Sequence, residues 1–425
     1  MPPVDQLKRA LHRADASDVR RLLERHASLR TAINEPIFGF DAPALNTVGD
    51  QPEIVDVLLE FGADPNRKST WWAGGFHPLY GASPAVAERL LAAGAVVDAC
   101  AAAHLDRLDL LDKILEANPE RVHERGGDGQ TPLHFARSRA VADRLLDAGA
   151  DIDARDVDHR STPAEWMIDA RADLARYLVE RGAHTDIFLS CALGLTDRAT
   201  ALVAADPSVL ELRTGQGAYG EQRPSSFHIY LWTIGPNFTP LDTAAKFGQR
   251  EVLSALLAMA SPVQRLLFAC HGGSADDARA IVREHPGIVQ SLGGADRRAL
   301  TDEAWTGNAP AVELMLELGF DPAVPSGSGP TGGNALHCAA WQGSLASVAA
   351  LLAHASGRAL VNVRESAYQG TPLSWCCHGS RNCGDVRADH AGVARLLIDA
   401  GAAFDAKLTD CSDEMQAVLS DAASS

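Results

Sequence analysis

The chain lacks many of the features that would name a function at once. No apolar run approaches the ~20 residues that a membrane span needs. Positive charge is scarce: 38 Lys and Arg stand against 55 Asp and Glu in 425 residues, a formal charge of −17. A surface of that sign repels phosphate backbones and anionic lipids, so neither nucleic acid nor membrane is an expected partner. The opening stretch "MPPVDQLKRALHRADASDVRRLLERH" is charged throughout and has no apolar core, so it reads as mature protein without a leader. The eight cysteines show no framework spacing, which suits free thiols in a reducing cytoplasm. The bias towards Ala, Arg and Gly is that of a GC-rich bacterial genome. No phosphate loop, serine elbow or dinucleotide fingerprint is present, and "GGADRR" and "SGSGPTGG" read as turn and linker segments. No cofactor is therefore expected. What the chain does have is 46% apolar residues, enough for a large core in a repeat array or in ~3 separate domains.

Self-similarity decides between them. "GQTPLHFARSRAVADRLLDAGADIDAR", from Gly129, recurs as "FTPLDTAAKFGQREVLSALL" from Phe238 and "GNALHCAAWQGSLASVAALL" from Gly333. It returns as "GTPLSWCCHGS…HAGVARLLIDAGAAFD" from Gly370, with weaker copies from Pro52, His77 and Ser161. Each copy has a physical reading. Thr caps a helix whose first turn holds Pro, where a missing N–H costs nothing. Leu and a pair of small residues make an apolar stripe at helical spacing. A Gly breaks the first helix, a Val-x-x-Leu-Leu stripe forms the second, and Gly-Ala-Asp closes it. A second set, "AAAHLDRLDLLDKILEANPERVHE", "SCALGLTDRATALVAADPSVLELR" and "ACHGGSADDARAIVREHPGIVQSL", aligns without gaps and ends in x-Pro-x-x-Val instead.

The pattern resembles the ankyrin repeat, on Thr131, Pro132, Leu133, His134, Ala136, Gly149, Ala150 and Asp151, and again on Thr371, Pro372, Leu373, Gly401 and Ala402. The resemblance implies an all-α fold: a single curved solenoid of about eleven or twelve helix-turn-helix units near the 33-residue family period. The expected divisions are an N-terminal capping repeat over 1–33, repeats over 34–212, an aromatic finger insertion at 213–237, repeats over 238–406 with a loop insertion at 379–390, and a C-terminal cap at 407–425. It also implies that His134 and His337, fourth in "TPLH" and "NALH", bond between neighbouring turns and belong to no site.

In such repeats the residues after the small pair face the inner, concave side, where family members commonly bind partners. That column reads His12, His104, Asp169, Ala192, Lys246, His271, Trp305, Trp341 and His378. Trp305, Trp341 and His378 fall in three successive units, ~10 Å apart if the helices pack normally, and exposed Trp is a frequent binding anchor. The insertion "RTGQGAYGEQRPSSFHIYLWTIGPN" carries the short aromatic run Phe227, His228, Tyr230 and Trp232, read as a strand-like finger able to fold across the groove. The expected function is binding of a protein or peptide partner through the groove, by Trp305, Trp341, His271, His378, Lys246, Phe227, Tyr230 and Trp232. The alternative is a pocket in the C-terminal half for a small unsaturated ligand, with His271, His378, Lys246, Glu303 and His228 as acid–base groups. Cys383, with His378 as base, is the candidate nucleophile. A zinc set of Cys376 or Cys377, His378, Cys383 and His390 lacks tight paired spacing, and no metal is expected. Cys191, Cys270, Cys376 and Cys377 fill small-residue slots, where Cys behaves as a compact hydrophobe.

Overall fold

Where the sequence reads Thr-Pro, a helix begins with its cap in place. Thr162 Oγ1 accepts the N–H of Glu165, and the Glu165 carboxylate returns to the N–H of Thr162 at 2.7 Å. The same reciprocal box opens the helices Pro240–Lys246 (Thr239 with Asp242) and Pro372–Asn382 (Thr371 with Ser374). The second helices bury the expected stripe: Arg139–Asp147 sets Val141, Ala142 and Leu145 inward. Gly149 closes that helix at φ +95° and Gly401 closes His390–Asp399 at +94°, a left-handed turn that a Cβ would strain. Two of the x-Pro-x-x-Val endings form short 3₁₀ turns, while the one at Pro286 is a run of turns. In Pro119–His123, Asn118 caps Glu120 and Val122 is buried, and Asp206 caps Ser208 in Pro207–Glu211 in the same way.

The structure, a computed structural model, describes residues 1–326, 332–385, 387–403 and 410–423. Most of the expected "SGSGPTGG" linker, residue 386 of the loop insertion and the ends of the C-terminal cap lie outside the described residues. Among those described there is no β-strand, and helical hairpins account for the architecture. The chain forms two units, Met1–Leu256 and Leu257–Ser425. The first holds a core running from Leu7 through Leu58 to Ala101. The second is built on Leu266, Leu300, Leu336, Leu351, Leu373 and Leu397. Cys191, Cys270, Cys376 and Cys377 are all buried in the small-residue slots, and Cys338 is buried one position before such a slot.

Neighbouring hairpins are held in register by polar clamps at their edges. Asn34 donates to the Gly62 carbonyl and accepts from Asp64 N–H, both at 2.8 Å. Asn66 bridges Gly94 and Val96 in the same way, and Asn362 bridges Gly401 and Ala403. His134 accepts from Thr131 N–H at Nδ1 and donates from Nε2 to the Ser161 carbonyl at 3.1 Å, while His337 Nε2 meets the Gly370 carbonyl at 3.1 Å. Both rings are buried, as the resemblance implied. Each such bond contributes on the order of 1 kcal/mol, and together they set the pairing of turns.

Burial holds the His134 ring neutral and lowers its pKa from 6.5 to about 3. Because the folded value lies below the unfolded one, this contribution is present above pH 6.5 and is lost as pH falls towards 3. His134→Gln should flatten the loss of stability on the acid side of pH 6.5, while costing ~1 kcal/mol at neutral pH. Urea melts over a pH series measure both effects.

Candidate functional site

In the second unit the helices Pro262–His271, Ala299–Thr306, Ala335–Trp341 and Pro372–Asn382 are the first helices of successive hairpins. Trp305 and Trp341 lie at or near the ends of theirs. Their rings stack, with centroids 4.9 Å apart and planes 16° from parallel, and both are half-buried. The indoles are thus neither core nor isolated: each covers the other and leaves part of its surface free. Beside them His271 Nδ1 meets Glu303 Oε1 at 2.6 Å, and Asn308 donates to Glu303 Oε2 at 2.7 Å. Glu303 is buried, so this hydrogen-bonded pair is fixed at the margin of the stack. On the far side His378 Nδ1 meets Asp410 at 2.5 Å in an exposed pair. His390 Nε2 donates to the Trp341 carbonyl at 2.9 Å.

Other expected members are engaged elsewhere. The Lys246 ammonium donates to the carbonyls of Ile234 (2.6 Å) and Thr233 (3.2 Å), closing the end of the short helix Tyr230–Thr233. Ala192 in the column is buried and has a packing role, contrary to expectation, and the half-buried His104 bonds the Ala82 carbonyl. The thiol of Cys383 points to Gln342 Oε1 at 3.3 Å while the His378 ring turns to Asp410, so the expected nucleophile and base are each held by another partner. The loop insertion is shorter than expected. The helix runs on to Asn382, which bonds back to the His378 carbonyl, and Gly379 allows this because a Cβ there would strike the Trp341 carbonyl.

The aromatic finger is not strand-like. With no strand edge to pair with, its backbone closes on itself: Leu231 N–H bonds the His228 carbonyl at 3.0 Å and Ile234 N–H bonds the Tyr230 carbonyl at 2.9 Å. Thr214 ties its ends together through Asn237 and Phe238. Its tip packs on the first unit. Ser226 N–H bonds the Asp158 carbonyl at 2.8 Å, Ile229 N–H bonds Ser161 Oγ at 3.1 Å, and His159 Nδ1–H donates to the Phe227 carbonyl at 2.9 Å. Tyr230, expected to bind a partner, is fully buried and donates to Asp186 at 3.0 Å. Trp232 is 55% exposed, its ring edge-on to His159, and Phe227 is half-buried.

This docking assembles a polar centre. His228 Nε2 lies 3.4 Å from Glu165 Oε2, both buried. Burial pushes the Glu165 carboxyl up, but the hydrogen bond and charge of His228 outweigh it and hold it below its usual range. Asp186 is pushed up by burial and by the nearby charge of Glu165, although Tyr219 donates to it at 2.8 Å. Around these groups is a cavity of about 400 Å³ whose mouth carries Arg155, Arg160 and His184. Next to it Asp128 and Asp158, both buried, each approach His159 Nε2 to 3.9 Å. Burial and the charges of Asp158 and Asp156 raise Asp128 to about 6 against the opposing pull of His159. The Trp71 indole N–H lies against Asp128 and eases that rise, though without the geometry of a normal hydrogen bond.

Of the groups expected to line a pocket in the C-terminal half, His228 lies elsewhere, and a cavity of about 470 Å³ in the second unit is lined by Arg297, Arg298 and Asp321 rather than by the expected residues. The finger brings His228 to residues 155–186, and the cavity beside it belongs to the first unit. Sequence reading passed over Glu165, Asp186, Asp128, Asp158 and His159 because each looks like ordinary repeat punctuation. Two mismatches carried the signal. "STPAEW" puts Glu165 where "TPLH" puts His134, and His159 stands where the copy before it has Asp128.

The ankyrin repeat family model matches residues 128–157. No curated protein matches the chain. Among the described residues no helix is long and apolar enough to cross a membrane.

His228→Ala would leave the buried Glu165 carboxylate with only the Thr162 N–H and the more distant Arg155, and should destabilise the protein by about 3 kcal/mol. Adding Glu165→Gln should recover part of that loss. Urea denaturation of the two single variants and the double variant closes the cycle.

Proposed function

Starting from a chain that carries an ankyrin repeat, we propose that it is an interaction module: it binds a protein or peptide partner through the inner face of its second unit, with Trp305 and Trp341 as anchors. The observation that carries this reading is the half-exposed indole stack, set between the His271–Glu303 and His378–Asp410 pairs. Paired rings that lie over the core with part of their faces exposed offer a flat apolar platform, and residues of this type dominate binding energy. With a charge of −17, the chain favours a basic segment, whose Lys or Arg can also lie over an indole face. Trp305→Ala and Trp341→Ala should each weaken partner affinity by ~30-fold, the effect of losing about 2 kcal/mol at an anchor. The melting temperature should move by only a few degrees. Partners captured by the wild type and held equally well by both variants would remove the basis of the proposal.

A second reading, a pocket for a small ligand, is favoured by one specific observation: the cavity beside Glu165, His228 and Tyr219 with a cationic mouth. Native mass spectrometry of the purified protein, searching for a bound small molecule, distinguishes this reading from the first.

A further inference from the structure

The edge of the first unit gathers donor atoms in a way that hairpin stacking does not require. Asp128 sits at one hairpin tip and Asp158 and His159 at the next, and one atom from each lies within 4.8 Å of the others. The histidine ring is oriented by its other nitrogen. Nδ1 faces the Phe227 carbonyl at 2.9 Å, and a carbonyl only accepts, so Nδ1 carries the hydrogen. In a neutral ring Nε2 then presents a lone pair towards two carboxylates, each 3.9 Å away. That arrangement is repulsive unless a proton on Nε2 or a bound cation sits between them. A backbone carbonyl on the far nitrogen is also the usual way in which a metal-binding imidazole is held. Two further observations point the same way. Asp128 is only 8% exposed and turns Oδ2 to His159, while its buried Oδ1 has no partner of normal hydrogen-bond geometry beyond the adjacent Trp71 indole. Asp158 Oδ1 is fixed from outside by Ser226 N–H at 3.1 Å, as a ligating carboxylate is braced.

We propose that Asp128, Asp158 and His159 bind one divalent cation, which pins the two hairpin tips and the docked finger together. One imidazole with two carboxylates suits a borderline first-row ion, zinc or manganese, more than calcium or magnesium. Donor atoms 3.9 Å apart share one ion at about 2.1 Å each with a wide angle between the bonds, which leaves positions for water. The other gathering of donors, Asp98, Cys100 and Glu124, is already satisfied. Lys68 and Tyr80 hold Asp98, and burial drives the Cys100 thiol towards its protonated form.

The test uses the full chain, stripped with chelator and titrated with Zn²⁺ and separately with Mn²⁺, read by calorimetry and by the melting temperature. The expected result is one ion per chain and a rise in melting temperature of several degrees. Asp128→Asn and His159→Gln should each weaken binding at least tenfold, and Glu124→Gln should leave it unchanged. Asp128→Asn keeps the shape of the side chain and an acceptor oxygen beside Trp71, so its metal-free melting temperature should stay within a few degrees of the wild type. This separates lost binding from lost folding. The absence of stoichiometric binding would overturn the site, as would binding unaffected by both variants. So would binding that Mg²⁺ displaces as readily as Zn²⁺, since that is diffuse attraction to an acidic surface.

Discussion

A short helical hairpin cannot cover its own apolar stripe, and everything else in this protein follows from that. The stripe is buried only against a neighbour, and the neighbour must arrive in register. Apolar contact alone is permissive about sliding. Directional bonds at the turns are not: the Asn34, Asn66 and Asn362 clamps and the His134 and His337 bridges each join a side chain on one turn to a fixed carbonyl on the next. The consequence is that turn residues, which look like loops in the sequence, are as constrained as the core.

The polar centre of the first unit shows the same constraint where the pattern departs from itself. At the fifth position of "STPAEW" a carboxylate replaces the bridging imidazole. Glu165 accepts and cannot donate, so it cannot reach a carbonyl on the next turn. The finger resolves the mismatch by bringing His228 to it and by laying Ser226 and Ile229 on the turn at Asp158 to Ser161. The insertion therefore acts as a substitute turn, delivered from further along the chain.

Legibility in the sequence followed the same division. The hairpins, their caps at Thr131, Thr162, Thr239 and Thr371, the left-handed closures and the structural role of His134 and His337 could be read because each rests on a local pattern with a local cause. The finger could not. Its aromatic run suggested extension, but Tyr230 is buried through Asp186 and Phe188, residues far off in sequence. Lys246 was read as available because its column faces inward. Its ammonium instead closes a helix that exists only once the finger has docked. The stacked tryptophans were legible as neighbours by their place in the repeat, whereas the contact between their rings was not.

The docked finger also changes how the chain around it can come apart. Repeat arrays fray from their ends, one hairpin peeling from the next. Here the stretch between Ser161 and Ile229 is a segment whose two ends are stapled to each other by Ser161 Oγ and Ile229 N–H, so the helices Ile187–Leu193 and Thr196–Ala205 lie inside a closed circuit of chain. They cannot peel away singly. Opening that circuit means releasing the finger first, which makes a single insertion the latch against proteolytic entry for the whole stretch.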